Sequence, residues 1–249
     1  MPTPSPVHIP FVLTSPGYLA GGGDWEHLTE LLKRGHGWRD VSTIDQHTAL
    51  TSPDGRMHVV LDRRAGWTWT LRATTAHGHQ WAARLGAHLP VEYVMSMADA
   101  LLRPTHRQAD VLAPLHAAGW STDATAVSPD GLVCFTEEHV HGIGSGPWHA
   151  ACTVGGYTWW TATFSTHTPS GVIAALTSSL ASDTPLPRMA IGTPLFGCGQ
   201  YTRLARTSYG VDDVTAGVEA QISEARAERR HAAAPSPPSA VRTRAPRRR

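Results

Sequence analysis

The feature that most constrains this chain is that much of it is written twice. Gly37-Trp38 returns as Gly119-Trp120, and Ser52-Pro53-Asp54-Gly55 returns as Ser128-Pro129-Asp130-Gly131. Trp69, Trp81, Pro90 and Leu101 then return at one constant offset as Trp148, Trp160, Pro169 and Leu180. The offset is 76 residues at the Ser-Pro-Asp-Gly motif and 79 at the tryptophans, so the second copy carries a three-residue insertion between them. Six of the nine tryptophans fall into matched pairs, which chance seldom arranges. The chain is read as a tandem duplication of one unit of roughly 80 residues.

Both copies spell out the same elements. Ser-Pro-Asp-Gly between apolar segments has hairpin-turn chemistry: proline fixes φ at the first turn position and glycine accepts the left-handed one. Strands are predicted to flank it over 48–51 and 57–62. Trp67, Trp69, Leu71 and Ala73 then alternate with Thr68, Thr70 and Arg72, the period of a half-buried strand, and Trp148, Ala150, Cys152 and Val154 match them. After a tight His77-Gly78-His79 turn, Trp81, Ala83 and Leu85 predict a further strand, matched by Trp160, Ala162 and Phe164. The period next becomes helical. Val94, Met97 and Leu101 match Ile173, Leu176 and Leu180, with Pro90 and Pro169 at the first helical position and Thr168 as an N-cap. Another helix precedes each Gly-Trp. The first runs from an Asp24 N-cap through Trp25, Leu28 and Leu31 to Gly35. The second runs through Leu112 and Leu115, with Pro114 either kinking it or starting a shorter helix.

The expected fold class is α+β: two tandem helix–four-strand–helix repeats, their antiparallel sheets covered by helices on one face, related by a pseudo-two-fold axis. The link from Leu102 to Asp110 is short, which favours edge-to-edge association of the copies over two separate beads. The predicted order is an N-terminal extension (1–16), repeat 1 (17–103), repeat 2 (104–188), a connector with a C-terminal helix (189–231) and a disordered Arg/Pro/Ala tail (232–249).

Paired Gly-Trp, Ser-Pro-Asp-x, Trp and Trp-x8-Pro motifs, in the same order and spacing in both copies, resemble the SPDY domain, a tandem module of filamentous actinobacteria. The resemblance covers about Gly17 to Ala181. Gly55 and Gly131 stand where the family's name puts tyrosine, which implies a tighter turn here. The resemblance supports the architecture and brings no activity, cofactor or catalytic residue.

Recognisable catalytic chemistry is missing. There is no Walker loop, dinucleotide fingerprint, zincin helix or nucleophile elbow, and Gly142-Ile143-Gly144-Ser145-Gly146 lacks the lysine of a phosphate loop. Among 15 histidines, the best metal-ligand cluster gathers Cys134, Glu137, Glu138, His139, His141 and His149. His139 and His141 would share a strand face, but the spacing matches no established zinc site. The plainer reading is solvated side chains beside a Gly-rich hairpin. No cofactor or metal is expected, and Cys134, His139, His141 and His149 are the residues that would supply one.

No apolar run approaches a membrane span, and Met1 to Pro16 lacks the basic region of a signal peptide. Cys134, Cys152 and Cys198, an odd and widely spaced set, read as thiols in a reducing cytoplasm. Charge is uneven: 11 basic and 15 acidic residues lie from Met1 to Arg188, and 10 basic and 5 acidic residues from Met189 onward. Trp159 lacks a counterpart and points opposite Trp160, making it the candidate surface aromatic. Arg242, Arg244, Arg247, Arg248 and Arg249 would attract phosphates in a salt-dependent way. The expectation is a cytoplasmic, non-catalytic two-repeat scaffold that binds an unidentified protein partner through its open sheet face or strand edges. The alternative is a nucleic-acid-binding accessory protein using Trp159 and the arginine tail, with a metal-dependent enzyme a distant third.

Overall fold

The computed structural model describes residues 8–43, 47–75, 77–103, 108–123, 125–138, 147–190 and 199–233. Strands β1 (His8–Ser15), β2 (Arg39–Asp40), β3 (His47–Thr51), β4 (Met57–Asp62), β5 (Thr68–Thr74) and β6 (Gln80–Leu85) precede β7 (Ser121–Thr122), β8 (Ala126–Val127), β9 (Val133–Glu137), β10 (Trp148–Val154) and β11 (Tyr157–Phe164). The last two strands are β12 (Leu186–Met189) and β13 (Arg203–Gly210). The helices are α1 (Trp25–Glu30), continued as a π-helical turn over Leu31–Gly35, then α2 (Val91–Leu102), α3 (Ala113–Ala117), α4 (Ser170–Leu180) and α5 (Val211–Ala233). The architecture is α+β. Each repeat contributes five strands rather than the four predicted, because a two-residue strand follows each Gly-Trp.

The repeated motifs have local physical reasons. Gly37 and Gly119 end their helices at φ +74° and +79°, where a side chain is strained and glycine is not. The next residue turns back onto the helix it leaves: the Trp38 N–H donates to the Leu32 carbonyl at 3.0 Å, and that of Trp120 to Leu115 at 3.1 Å. Both indoles are thereby delivered into the core, 4% and 5% exposed. In the Ser-Pro-Asp-Gly turns, the serine hydroxyls of Ser52 and Ser128 donate to Asp54 (2.5 Å) and Asp130 (2.6 Å). Those hydroxyls also accept from the N–H groups of Met57 and Val133, while the aspartates accept from Arg56 and Leu132. Gly55 and Gly131 have φ +73° and +72°, so tyrosine at either position would be strained.

Helix starts follow sequence at α1 and α3 and are shifted by one residue at α2 and α4. Asp24 caps α1 by accepting from Glu26 and His27, and Pro114 begins the short α3. Pro90 and Pro169 themselves occupy the N-cap positions of α2 and α4. Thr168 is not the cap: its hydroxyl turns back to donate to the Ser165 carbonyl at 2.8 Å.

The two five-stranded halves form one ten-stranded antiparallel sheet in the order β2-β3-β4-β5-β6-β11-β10-β9-β8-β7. At the seam Arg84 pairs with Thr163, its own counterpart in the other repeat, while Ala83 and Leu85 pair with Phe164 and Ala162. The seam is prolonged at both ends by main-chain bonds from Gly86 N–H to the Thr161 carbonyl (2.7 Å) and from Ser165 N–H to the Ala82 carbonyl (2.9 Å). On one sheet face Leu71, Ala83, Leu85, Ala150, Cys152, Trp160, Ala162 and Phe164 are buried, and they share a single core with α1 to α4. Burying one indole, roughly 200 Å², contributes on the order of 5 kcal/mol before conformational entropy is counted. Helices α2 and α4 pack side by side over this face.

The ends of the chain depart most from expectation. Residues 8–15, predicted as part of an extension, are the central strand of a second sheet in the order β12-β1-β13, so the connector also contributes strands. This sheet is fastened by Arg188, only 7% exposed, whose guanidinium donates to both Glu92 carboxylate oxygens (2.7 and 2.9 Å) and to the Ala20 and Gly21 carbonyls (3.0 and 2.8 Å). Helix α5 docks by burying Ile222 and Ala225, with Arg34–Glu219 and Arg103–Glu228 ion pairs beside them. Of the tail predicted to be disordered over 232–249, residues 232 and 233 instead complete α5, and those from 234 onward lie outside the described residues.

Two stability predictions follow from these contacts. A Cβ on Gly86 would meet the Thr161 backbone nitrogen at 3.1 Å and oxygen at 3.3 Å. Gly86→Val should therefore lower the urea midpoint by prising β6 from β11, whereas Gly199→Val, which meets nothing within 4 Å among the described residues, should leave it unchanged. Arg188→Ala strands Glu92 and two carbonyls and should destabilise by about 3 kcal/mol, read as a drop in thermal midpoint.

Candidate functional site

A sheet has two faces, and the alternation that buries one set of side chains projects the other set away from the helices. That second face is the candidate site. Register places Arg39, Thr51, His58, Arg72 and Ala82 in one row across β2 to β6. A second row crosses the seam: Val60, Thr70, Arg84, Thr163, His149 and Thr136. Arg39, His58, Arg72, Arg84 and Thr163 are exposed, and Val60, Thr70, Ala82, Thr136 and His149 are half-buried. Thr51 is buried at 7%, with its hydroxyl 3.0 Å from His58 Nδ1. Among the described strand residues of this face, Asp62 is the only carboxylate. It accepts from the Arg64 and Ala65 N–H groups and lies 3.5 Å from His47 Nδ1.

The aromatic residues are distributed against a stacking platform here. Trp69, Trp81, Trp160, Phe135 and Phe164 all lie in the core. Trp159, the predicted surface aromatic, is half-buried and packs on the core. It is the residue skipped where pairing passes from Cys152–Trp160 to Thr153–Thr158, and such a bulge breaks the strict alternation that aimed it outward. Its ring stacks on His88 at 4.1 Å between centroids and 8° between planes. The exposed tryptophan is Trp67, 44% accessible. It sits in the β4–β5 hairpin at φ +65°, with its ring 6.0 Å from Trp25 and the Arg63 guanidinium over Trp25 at 5.4 Å. Adjacency to Gly66 and the basic pair Arg63-Arg64 marked that loop in sequence, but nothing there signalled the left-handed backbone.

The proposed metal ligands are only partly placed. Cys134 pairs with Ala151 and His149 with Thr136, so the two are diagonal neighbours on the open face. His139 and His141 lie outside the described residues, as do Arg242, Arg244, Arg247, Arg248 and Arg249. Among the described residues no group of three or more His, Cys, Asp or Glu is placed to hold a metal ion. A cavity of about 360 Å³ lies between α1, α2 and α5, floored by Leu28, Leu32 and Met95 and rimmed by His36, Asp99 and Glu224. No described helix is long and apolar enough to cross a membrane.

Elsewhere electrostatics reports structure. Burial, and then the neighbouring Asp130 carboxylate, push the Tyr18 hydroxyl well above the ordinary phenol range, so it remains a donor to Asp130 at 2.6 Å. Burial alone holds His88 below the usual imidazole value. A depressed histidine contributes stability that is present above its unfolded pKa, about 6.5, and lost as pH falls through its folded value. The midpoint of thermal unfolding should therefore decline as pH falls below about 6.5, and His88→Phe, which keeps the stack on Trp159, should flatten that decline.

Comparison with known proteins agrees with the duplication. Residues 51–106 and 127–186 each match the SPDY domain, a domain of unknown function (DUF317). No curated protein and no solved structure matches the chain. The matched segments begin at or beside the Ser-Pro-Asp-Gly turns and end beyond α2 and α4, spanning all the long strands of the ten-stranded sheet except β3. Two successive SPDY domains, joined edge to edge through β6 and β11, therefore form the body of this chain.

Proposed function

We propose that this protein is a non-catalytic binding module that recognises a protein partner through the open face of its ten-stranded sheet. The observation that carries this reading is the composition of that face. It offers threonine hydroxyls and small aliphatic side chains over both repeats and exposed arginines on repeat 1, while Trp69, Trp81, Trp160, Phe135 and Phe164 lie on the helix-covered side. Four-stranded sheets that read single-stranded nucleic acid stack bases chiefly on exposed Phe, Tyr and Trp rings, and the rings that register places among the described strand residues of this face are the imidazoles of His47, His58 and His149. Hydroxyls and guanidinium groups suit the carbonyls and side chains of a polypeptide.

One observation favours a nucleic-acid reading as the second choice: Trp67, exposed and held at positive φ beside Trp25 and Arg63. Strained, exposed aromatics next to arginine are suited to base stacking. Fluorescence anisotropy with single-stranded and duplex oligonucleotides, at two salt concentrations, separates the readings. The expected outcome is no binding to a chain ending at His231, and only salt-sensitive binding by the full-length protein. Binding that persists in moderate salt without the tail, and is lost in Trp67→Ala, would replace the protein partner with nucleic acid.

A further inference from the structure

Resting on the open-face reading, we infer that the partner segment is an acidic, extended polypeptide whose carboxylates meet Arg39, Arg72 and Arg84. Three observations point the same way. The first is charge. These three guanidinium groups share the face with Asp62 as the only described strand carboxylate, and none of the three has an ion-pair partner among the described residues. Arg34 is matched with Glu219, Arg103 with Asp99 and Glu228, and Arg188 with Glu92, whereas Arg56, Arg203, Arg206, Arg229 and Arg230 also lack an ion-pair partner among the described residues; what sets Arg39, Arg72 and Arg84 apart is that they share one sheet face. Three neighbouring cations without such partners complement an anionic ligand.

The second observation is spacing. Arg72 and Arg84 occupy diagonal positions on adjacent strands, since Arg72 pairs with Ala82 and Thr70 with Arg84. Their Cβ atoms are then about 7 Å apart, close to the roughly 6.8 Å between alternate side chains of an extended chain. Arg39 lies three strands from Arg72 along one row, through Thr51 and His58, or roughly 14 Å. A segment crossing the strands would thus present acidic residues at i, i+2 and i+6.

The third observation is polarity along the sheet. The basic row belongs to repeat 1. Across the seam the open face is Thr163, Thr161, His149, Ala151, Thr136 and Cys134, with no arginine or lysine. A polyphosphate backbone lying along the whole sheet would find cations under only half its length. A polypeptide with an acidic stretch followed by neutral residues fits both halves.

The test uses the full-length protein and fluorescein-labelled ten-residue peptides: alternating Glu-Thr, alternating Lys-Thr and alternating Ser-Thr. The Glu-Thr peptide should bind, and Arg72→Glu with Arg84→Glu should weaken it by about tenfold or more. Arg203→Glu with Arg206→Glu, the same change of net charge on the small sheet, should leave binding within about twofold, since distant exposed charges are screened. Thr163→Trp blocks the face without altering charge and should also weaken binding. If Ser-Thr or Lys-Thr binds better and Thr163→Trp abolishes it, the open face is the site but the acidic partner is wrong. If Thr163→Trp and the Arg72/Arg84 pair both leave binding intact, the open face itself falls. Equal losses in the two charge-reversed pairs, or no binding by any peptide, overturn the inference. So does an oligonucleotide that outcompetes Glu-Thr and loses affinity only through Arg72 and Arg84. Circular dichroism on each variant confirms that the sheet is intact.

Discussion

Everything in this fold hangs on one short contact, the antiparallel seam between β6 and β11. It brings equivalent strands of two copies together so that Arg84 faces Thr163 and each neighbour meets the counterpart of the other's neighbour. The seam converts two sheets, each with an exposed edge, into one sheet with short two-residue strands at its ends. Exposed edges recruit foreign strands, and pairing like edges removes the two longest candidates. Because side chains alternate across the sheet, the same register that puts Ala83 and Ala162 into the core puts Arg84 and Thr163 on the open face. One-residue slippage would exchange them, so the position of the candidate site and the integrity of the core are one constraint.

The termini secure this body from outside. Tyr18 donates to Asp130 in the turn of repeat 2 and receives the Trp160 indole N–H on its carbonyl at 2.8 Å. Arg188 binds α2 and the loop at Ala20 and Gly21. Gly35 completes the arrangement by letting Ala225 approach: a Cβ there would lie 2.8 Å from the alanine methyl. Tyr18, at the start of repeat 1, thus braces repeat 2, while Arg188, at the end of repeat 2, and Ala225 beyond it brace repeat 1. These cross-ties make the second copy's Ser-Pro-Asp-Gly turn different from the first, where Asp54 has no tyrosine partner among the described residues.

Divergence between the copies also sets the charge of the open face. Both retained the residues that make turns, end helices and fill the core. The open face did not stay alike: repeat 1 carries Arg72 and Arg84 where repeat 2 has Ala151 and Thr163. Duplicated sheets conserve what the fold requires, and the solvent-facing parity is free to specialise because its side chains contribute little to packing.

The sequence by itself determined the duplication, the turns, the helices and the parity of the main strands, because these depend on local backbone chemistry and on periodicity. Gly37, Gly55, Pro114 and Asp24 each act within a few residues of themselves. The short β2 and β7 were illegible, since two residues show no period. Residues 8–15 did not read as a strand because their partners lie more than 170 residues away and Pro10 interrupts the run. Trp159 was misassigned because a bulge shifts side-chain direction without leaving a trace in composition, and Trp67 was overlooked because its exposure comes from a left-handed backbone. Only the tertiary structure decided that the repeats share one sheet. That choice also set which arginines stand together, since register between distant strands is fixed by packing on the common core and not by any residue's own preference.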